Sequence, residues 1–145
     1  MKKQTLFVVA LFALIGLTAA GAQAQSSTLV RANIPFEFKV ADKIMPAGEY
    51  LIRQINPSSD AVTLQIAAED NDATVMVRTT AMQMNGTQRS ALVFNRYGSD
   101  YFFSMVSIEG AVYSWQAPRS RGERGVAREL AALKTAGEVV TVAVR

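Results

Sequence analysis

The sequence contains neither cysteine nor histidine. Without cysteine, a folded domain must rely on its hydrophobic core and has no disulfide to supplement it. Without histidine, the chain lacks the commonest general base, the commonest zinc ligand and the usual partner in a catalytic triad. It also shows no nucleophile elbow, no phosphate-binding loop and no metal-ligand spacing. We therefore expect a protein that is not an enzyme and holds no metal and no cofactor.

The N-terminus has the features of a secretory signal. Lys2 and Lys3 precede an apolar run over Leu6–Leu17, and Ala22–Ala24 forms a small-x-small cleavage pattern. The alternative is an uncleaved membrane anchor, which needs about 18 to 20 apolar residues, more than this run supplies. We predict cleavage after Ala24 and export of residues 25–145 to the periplasm or the medium, with no stable transmembrane anchor.

The exported part is nearly neutral. The whole chain of 145 residues carries a formal net charge of +3, and removal of Lys2 and Lys3 leaves +1. The basic isoelectric point of the full chain therefore does not indicate nucleic-acid binding by the exported part, and we expect no nucleic-acid partner. The exported part is long enough to bury a core and contains no linker or repeat, which predicts a single domain.

The densest apolar stretch, Ala91–Val106, predicts a β-hairpin that turns at Gly98 and Ser99. Glycine at the first loop position suits a type II′ turn, in which that residue has a positive φ. Phe102 and Val106 fall on the face opposite the main apolar face, and we expect the C-terminal helix to cover Phe102. The predicted cross-strand neighbours are Phe94 with Phe103, Leu92 with Met105, and Arg96 with Tyr101.

Alternation of apolar and polar residues predicts further strands before this hairpin. Residues 25–29 read as a polar lead-in, and Val30–Val40 as one half-buried strand in which Pro35 marks an edge or the start of regular pairing. Turn residues separate the next predicted strands. These strands are Tyr50–Ile55, Ala61–Ala68 and Ala73–Met84.

The dipeptide Asn85-Gly86 is the strongest short hairpin signal in the chain. A two-residue turn there pairs the preceding strand with the central hairpin and places Val77 opposite Phe94. The sequence thus predicts a three-stranded antiparallel meander over residues 73–108.

A helix is predicted near the C-terminus, over about residues 120–135. Ser120 and Glu123 match a capping box, and an apolar stripe follows at helical spacing. Gly137 is a suitable stop, and Glu138–Arg145 reads as a final strand. The stripe consists of Val126, Leu130 and Leu133. The inward set of the final strand is either Val140, Val142 and Val144 or the alternate set with Val139.

Short strands punctuated by turns, with one late helix, predict an all-β domain. We expect a single antiparallel β-sandwich or small barrel of about seven or eight strands, with the C-terminal helix before the final strand. The choice between sandwich and closed barrel stays open, as does the oligomeric state.

Several motifs together resemble those of a family of small exported bacterial proteins, common in soil bacteria and of unknown function. The resemblance covers roughly residues 30–130 and is most specific in the central hairpin. It implies an exported β-domain and brings no activity, ligand or catalytic residue. The motifs are Phe36–Val40, Pro46–Tyr50, Leu92–Ser104, Trp115 and Ser120–Arg124.

The tip of the central hairpin is a candidate contact patch. Arg96, Tyr97, Asp100 and Tyr101 combine an arginine with aromatic rings, which favours protein or carbohydrate contacts through stacking and cation–π geometry. The alternative that we favour is structural: Arg96 pairs with Asp100 or covers Tyr101, and so fixes the end of the sheet.

Arginines crowd the start of the predicted helix and extend the candidate patch. They suit an anionic polymer, a phosphate or lipid headgroups. Their position near the positive end of the helix dipole is poor for helix stability, which favours a functional role. Because Glu123 and Glu129 are interleaved, we favour a solvated face. The arginines are Arg119, Arg121, Arg124 and Arg128.

Three further groups of side chains have chemistry suited to a metal site or to catalysis, and for each we favour a role without such a site. The acidic turn Glu69–Asp72 lacks the spacing of a calcium loop. The methionines lack a histidine or cysteine to complete a copper site, so core filling or a soft apolar contact is favoured. Carboxylates near turns serve a glycosidase only where two converge. The methionines are Met76, Met82, Met84 and Met105, and the carboxylates are Glu37, Asp42 and Glu49.

These observations favour a non-enzymatic exported β-domain that acts by surface contact with a protein or polymer of the cell envelope. This hypothesis predicts a filled interior and an exposed aromatic or arginine patch. The alternative is a small carrier of an apolar ligand in a β-barrel interior. It predicts an apolar cavity of a few hundred cubic ångströms lined by Phe, Met and Val.

Overall fold

The structure, a computed structural model, describes residues 27–56, 61–84 and 89–144, with the side chains of 27–29 omitted. The predicted signal segment and the predicted turn at Asn85-Gly86 lie outside the described residues. Within them, the chain forms ten strands and one helix, which confirms the all-β class and the helix before the final strand. The elements are β1 Ser27–Ile34, β2 Phe38–Val40, β3 Lys43–Met45, β4 Gly48–Gln54, β5 Val62–Ala68, β6 Thr74–Gln83, β7 Ala91–Tyr97, β8 Asp100–Ser107, β9 Tyr113–Gln116, α1 Arg121–Ala132 and β10 Glu138–Ala143.

The strands form one mixed sheet in the order β1-β4-β5-β6-β9-β8-β2-β3, and β7 pairs with both β8 and β10. Strand β6 connects the two halves, because its first part pairs with β5 and residues 80–83 pair with β9. Strand β2 runs parallel to β8, with Lys39 opposite Phe102. The sheet is therefore not purely antiparallel, and it does not close into a barrel.

The predicted meander over residues 73–108 is wrong. Val77 lies opposite Leu64 of β5, and β6 is not a hydrogen-bonded neighbour of β7. The edge of β7 is occupied by β10, which places Val140 opposite Phe94. Alternate valines of the C-terminal segment pack against the core. The final strand is therefore buried beside β7, which the local turn signal at Asn85-Gly86 did not indicate. The packed valines are Val140, Val142 and Val144, whereas Val139 is exposed.

The central hairpin itself is confirmed. Strands β7 and β8 turn at Gly98 and Ser99, and the φ of Gly98 is 62°, in the left-handed region that a type II′ turn requires of this position. Phe94 lies opposite Phe103, as predicted, and both side chains are buried.

Beyond Phe103 the predicted register is wrong. Ser104 is an extra residue on β8, so Leu92 lies opposite Val106 and not opposite Met105. Such a bulge turns the following side chains to the other face. As a result Phe103 and Val106 both reach the core, and Met105 is only half-buried.

Aromatic rings form the centre of the core. Phe38 packs against Tyr50 and Phe94, with ring centroids 5.1 and 5.4 Å apart. Edge-to-face contacts of this kind add to the burial of the rings. The hydroxyl of Tyr50 donates a hydrogen bond of 2.6 Å to the carbonyl oxygen of Pro46, so this buried polar group is satisfied.

The N-terminal strand is broken where the sequence predicts continuity. β1 ends at Ile34 and β2 begins at Phe38, because Pro35 has no N–H to donate to a ladder. The expected lead-in at 25–29 is wrong from Ser27 onward, where β1 begins.

A tight turn joins β2 to β3, a short strand that the sequence did not predict. Val40 lies opposite Lys43, and the two loop residues, Ala41 and Asp42, have φ values of 49° and 66°. Two successive positive φ values are typical of a type I′ hairpin turn. This turn presents Asp42 to the helix.

The helix begins as predicted, with Ser120 as its N-cap. The hydroxyl oxygen of Ser120 accepts a hydrogen bond from the backbone N–H of Glu123 at 3.1 Å. The helix ends earlier than predicted, at Ala132, because Lys134 adopts a left-handed φ of 56°. Gly137 is therefore not the helix stop.

Candidate functional site

The hairpin tip is organised around Tyr101. The guanidinium carbon of Arg96 lies 5.4 Å from the centroid of the Tyr101 ring, and Phe36 stacks on that ring with centroids 4.0 Å apart. Arg96 also donates to the carbonyl oxygen of Gly98 and pairs with Glu138 of β10 at 3.2 Å. Covering of Tyr101 by Arg96 is thus confirmed, and the ion-pair partner of Arg96 is Glu138.

Tyr97 faces the helix and is 8% exposed. Its hydroxyl donates to Oε1 of Glu123 at 3.4 Å, and the side-chain amide of Asn95 donates to the same oxygen at 2.8 Å. Burial, together with the nearby carboxylate of Glu123, raises the pKa of Tyr97. The acidic member of the capping box therefore attaches α1 to the central hairpin.

The helix arginines lie in different surroundings. Nη1 of Arg124 donates to the carbonyl oxygen of Arg119, and Nε of Arg119 lies 3.7 Å from the carboxylate of Glu123. In the part of the chain that the structure describes, the side chains of Arg121 and Arg128 have no partner. Arg128 is exposed on the helix, whereas Arg121 lies at the edge of a groove.

Asp42 connects the β2–β3 turn to the start of α1. Its Oδ1 accepts hydrogen bonds from Ser120 Oγ at 2.5 Å and from the backbone N–H of Gly122 at 3.1 Å. The bond from Ser120 is the largest influence that lowers the pKa of Asp42. Burial opposes it, and the N–H groups of Gly122 and Arg121 and the charge of Arg124 reinforce it. The helix start thus stabilises the ionised carboxylate of Asp42.

A groove of about 410 Å³ lies between the β2–β3 hairpin and the helix start. Phe102, 2% exposed, forms its floor, while half-buried Val126 and 56% exposed Ile44 form its walls. Of the apolar stripe expected to cover Phe102, Val126 lines the groove beside it, whereas Leu130 and 69% exposed Leu133 do not. The ring of Phe102 packs against that of Tyr97, with centroids 5.9 Å apart. We call this the helix groove; its lining includes Lys39, Asp42, Ile44, Phe102, Arg121 and Val126.

The charged side chains that line the helix groove differ in whether they already have a partner within the protein. Nζ of Lys39 pairs with Asp100 at 2.9 Å and lies 5.3 Å from the centroid of the Phe102 ring. Asp42 is held by the helix start. Among the described residues, the side chain of Arg121 has no such partner. The groove therefore combines an apolar floor with one unpaired cation.

The carboxylates that we considered for hydrolysis do not share one cleft. Asp42 lines the helix groove, Glu49 a second cavity, and Glu37 a small cavity of about 160 Å³ beside Asp100. The carboxylate of Asp100 is paired with Lys39. Within residues 27–56, 61–84 and 89–144, no group of three or more acidic side chains is placed to hold a metal ion.

Two other candidate groups lie at the surface of the protein. Glu69 pairs with Arg31 at 2.8 Å, and Oδ1 of Asn71 accepts a hydrogen bond from the backbone N–H of Ala73, so the acidic segment is a turn, as predicted. Met76 and Met82 are 60% and 45% exposed and therefore do not fill the core.

Sequence reasoning missed Lys39 and Ile44 as members of the site. Lys39 occupied an ordinary outward strand position, and Ile44 lay between two turns. The parallel pairing of β2 with β8 brings Lys39 to Phe102. Local sequence patterns do not predict a pairing between segments so distant in the chain. An isoleucine outside any predicted strand was the one available signal.

The fold and the site together define an all-β domain with a surface groove walled by its helix. No protein-family model, no curated protein and no solved structure matches the chain. Among the described residues, no helix is both long enough and apolar enough to cross a membrane.

Proposed function

We propose that the protein is a non-enzymatic binding module, exported to the periplasm or the medium, that contacts a partner protein of the cell envelope through the helix groove. The observation that carries this proposal is that Arg121, which has no side-chain partner among the described residues, lies beside a groove whose wall includes Ile44, an isoleucine 56% exposed to solvent. Export is inferred from the sequence of residues 1–24.

The groove has the size and composition of a recognition site. Its volume of about 410 Å³ lies within the range of small binding pockets. Binding of an apolar side chain between Ile44 and Val126 removes apolar surface from water. Such an anchor in a pocket, with polar contacts at the rim, is the usual arrangement of an interaction hot spot.

The unpaired cation defines the partner further. Lys39 is paired with Asp100 and Asp42 accepts hydrogen bonds from the helix start, whereas the guanidinium of Arg121 has no partner among the described residues. A carboxylate satisfies that fork with two hydrogen bonds, which gives orientation as well as affinity. The preferred partner segment therefore carries a leucine- or phenylalanine-like side chain next to an aspartate or glutamate.

The carrier hypothesis has weaker support. A carrier of this type needs a closed barrel with an open interior, and this sheet is not a closed barrel. Its interior is occupied by large, fully buried side chains, among them Phe38, Tyr50 and Phe94. The surface groove is thus a better candidate for binding than the interior.

Selection from a displayed library of random peptides tests the proposal. We expect the exported protein to enrich peptides with an aliphatic or aromatic residue adjacent to Asp or Glu. The double variant Ile44→Ser, Arg121→Gln changes two exposed side chains and is expected to lose this enrichment. Enrichment of the same peptides by the double variant, or of peptides without an acidic residue, would contradict the proposed use of the groove.

A further inference from the structure

The ends of β6 and β9 form a ribbon with exposed apolar side chains. Met82, Val112 and Tyr113 are 45%, 59% and 51% exposed. Tyr113 lies opposite Gln83, and the backbone N–H of Met84 donates to the carbonyl oxygen of Val112 at 3.0 Å. Met82 lies opposite Ser114, so its side chain and that of Tyr113 project from opposite faces, and what the three side chains share is one end of the ribbon, which we call the ribbon tip.

The ribbon is also free of charge. Residues 79–84 and 110–118 contain no Asp, Glu, Lys or Arg, although charged residues make up 19% of the chain. Isolated exposed apolar side chains are ordinary, whereas several of them at the end of one uncharged ribbon favour an interaction surface there. An uncharged two-stranded ribbon with such a tip suits a medium of low polarity.

Arginines flank the tip. Arg78 lies on the same face of β6 as Met82, about 13 Å away at the usual rise of a strand. The backbone of Arg89 lies beside the end of β8, where Ser107 donates to its carbonyl oxygen at 3.2 Å. In the described ranges neither guanidinium has a partner. Glu109 is the acidic residue nearby, so cations outnumber anions at the flanks.

We propose that the ribbon tip docks on an anionic lipid surface. The apolar side chains enter the boundary between headgroups and acyl chains, and Arg78 and Arg89 lie at the level of the lipid phosphates. Tyr113 suits this depth, because its ring is apolar and its hydroxyl reaches the headgroups. This surface is separate from the helix groove, so the two proposals stand or fall independently.

The single tryptophan of the chain provides a direct readout. Trp115 is half-buried, lies opposite Ala81 and is on the same strand as Tyr113, two positions from the tip. With vesicles of equal parts phosphatidylcholine and phosphatidylglycerol, we expect the exported protein to sediment with lipid. Trp115 emission then moves to shorter wavelength and is quenched by lipids brominated on the acyl chain. Vesicles of phosphatidylcholine alone should bind about tenfold less, because the electrostatic attraction is lost.

Matched variants separate the tip from other surfaces. Val112→Ser combined with Tyr113→Ser is expected to abolish sedimentation, whereas Val139→Ser, at a 69% exposed position on β10, should bind as the unchanged protein does. Arg121→Gln in the helix groove should also bind normally. Failure to bind anionic vesicles would overturn the proposal. So would undiminished binding of the tip variant, or loss of binding by Arg121→Gln alone.

Discussion

The carboxylate of Glu123 and the side-chain amide of Asn95 join the helix to the central hairpin through a hydrogen bond of 2.8 Å. Glu123 is 2% exposed, and a glutamate is rarely buried to this extent unless it has a partner, as it has here. The bond fixes the first turn of α1 against β7 and thereby sets the position of the groove wall. The helix is therefore part of the β-domain rather than an appendage.

Glu123→Ala should lower the free energy of unfolding by about 1.5 to 3 kcal/mol, because it removes a hydrogen bond to a buried charge and leaves the Asn95 amide unpaired. Urea denaturation at neutral pH measures the change. Glu129→Ala, at an exposed position of the same helix, is the control and should change stability by less than about 0.5 kcal/mol. Equal effects of the two substitutions would show that Glu123 does not anchor the helix.

Asp42 predicts an acid-sensitive contribution to stability. Its pKa is lowered in the folded state, chiefly by the hydrogen bond from Ser120, so the ionised form favours folding. This contribution is fully present above the unfolded-state pKa, about 4, and is lost as the pH falls through the folded-state pKa. The stability difference between the unchanged protein and Asp42→Asn should therefore be present at neutral pH and disappear in acid.

Asparagine is a suitable replacement at position 42 because it tolerates the positive φ of 66° found there. Urea midpoints of both proteins across the acidic range measure the difference. Asp72→Asn in the exposed acidic turn is the control and should shift the midpoint little. A difference between unchanged protein and Asp42→Asn that grows as the pH falls would contradict the assigned sign.

Substitution by alanine should change the stability of the protein in opposite directions at Gly137 and at Gly125. A Cβ at Gly137 would lie 2.5 Å from the ring of Tyr97, so Gly137→Ala should destabilise the protein by about 1 to 3 kcal/mol through overpacking. A Cβ at Gly125, inside α1, meets nothing within 4 Å, so Gly125→Ala should stabilise it by about 0.5 to 1 kcal/mol. Thermal unfolding of the two variants measures both changes. Stabilisation by Gly137→Ala would mean that β10 does not approach Tyr97 as described.

Phe94→Ala should cost about 3 to 5 kcal/mol, because this ring is fully buried and contacts Phe38 and Phe103. The control is Met76→Ala, at a position 60% exposed on β6, which should cost less than about 0.5 kcal/mol. Chemical denaturation compares the two. A loss below about 1 kcal/mol for Phe94→Ala would contradict the choice of core face.

Local patterns predicted the features that depend on neighbouring residues. The turn at Gly98 and Ser99, the strand β5 and the Ser120 N-cap follow from short-range geometry, and the structure confirms them. The Phe94–Phe103 pair follows from the same turn. Beyond the bulge at Ser104 the register changes, and alternation alone gives no sign of an inserted residue.

Pairings between distant segments were not predictable in this way. The placement of β10 beside β7, and of β2 parallel to β8, depends on which strands together bury the most apolar surface. The helix groove arises from the second of these pairings, so Lys39 and Ile44 could not be assigned to a site in advance. Arg121, by contrast, was identified by its charge, and the structure places it at the groove.

The affinity of one groove-selected peptide for three proteins tests the central claim most directly. Fluorescence anisotropy gives its Kd for the unchanged protein, for Arg121→Gln and for Arg128→Gln, the last of which removes the same charge from an exposed helix position outside the groove. We predict that Arg121→Gln weakens binding about tenfold, as expected for loss of one charge-assisted contact, and that Arg128→Gln leaves the Kd unchanged. Equal Kd values for the two variants would contradict the proposal that the helix groove is the binding site.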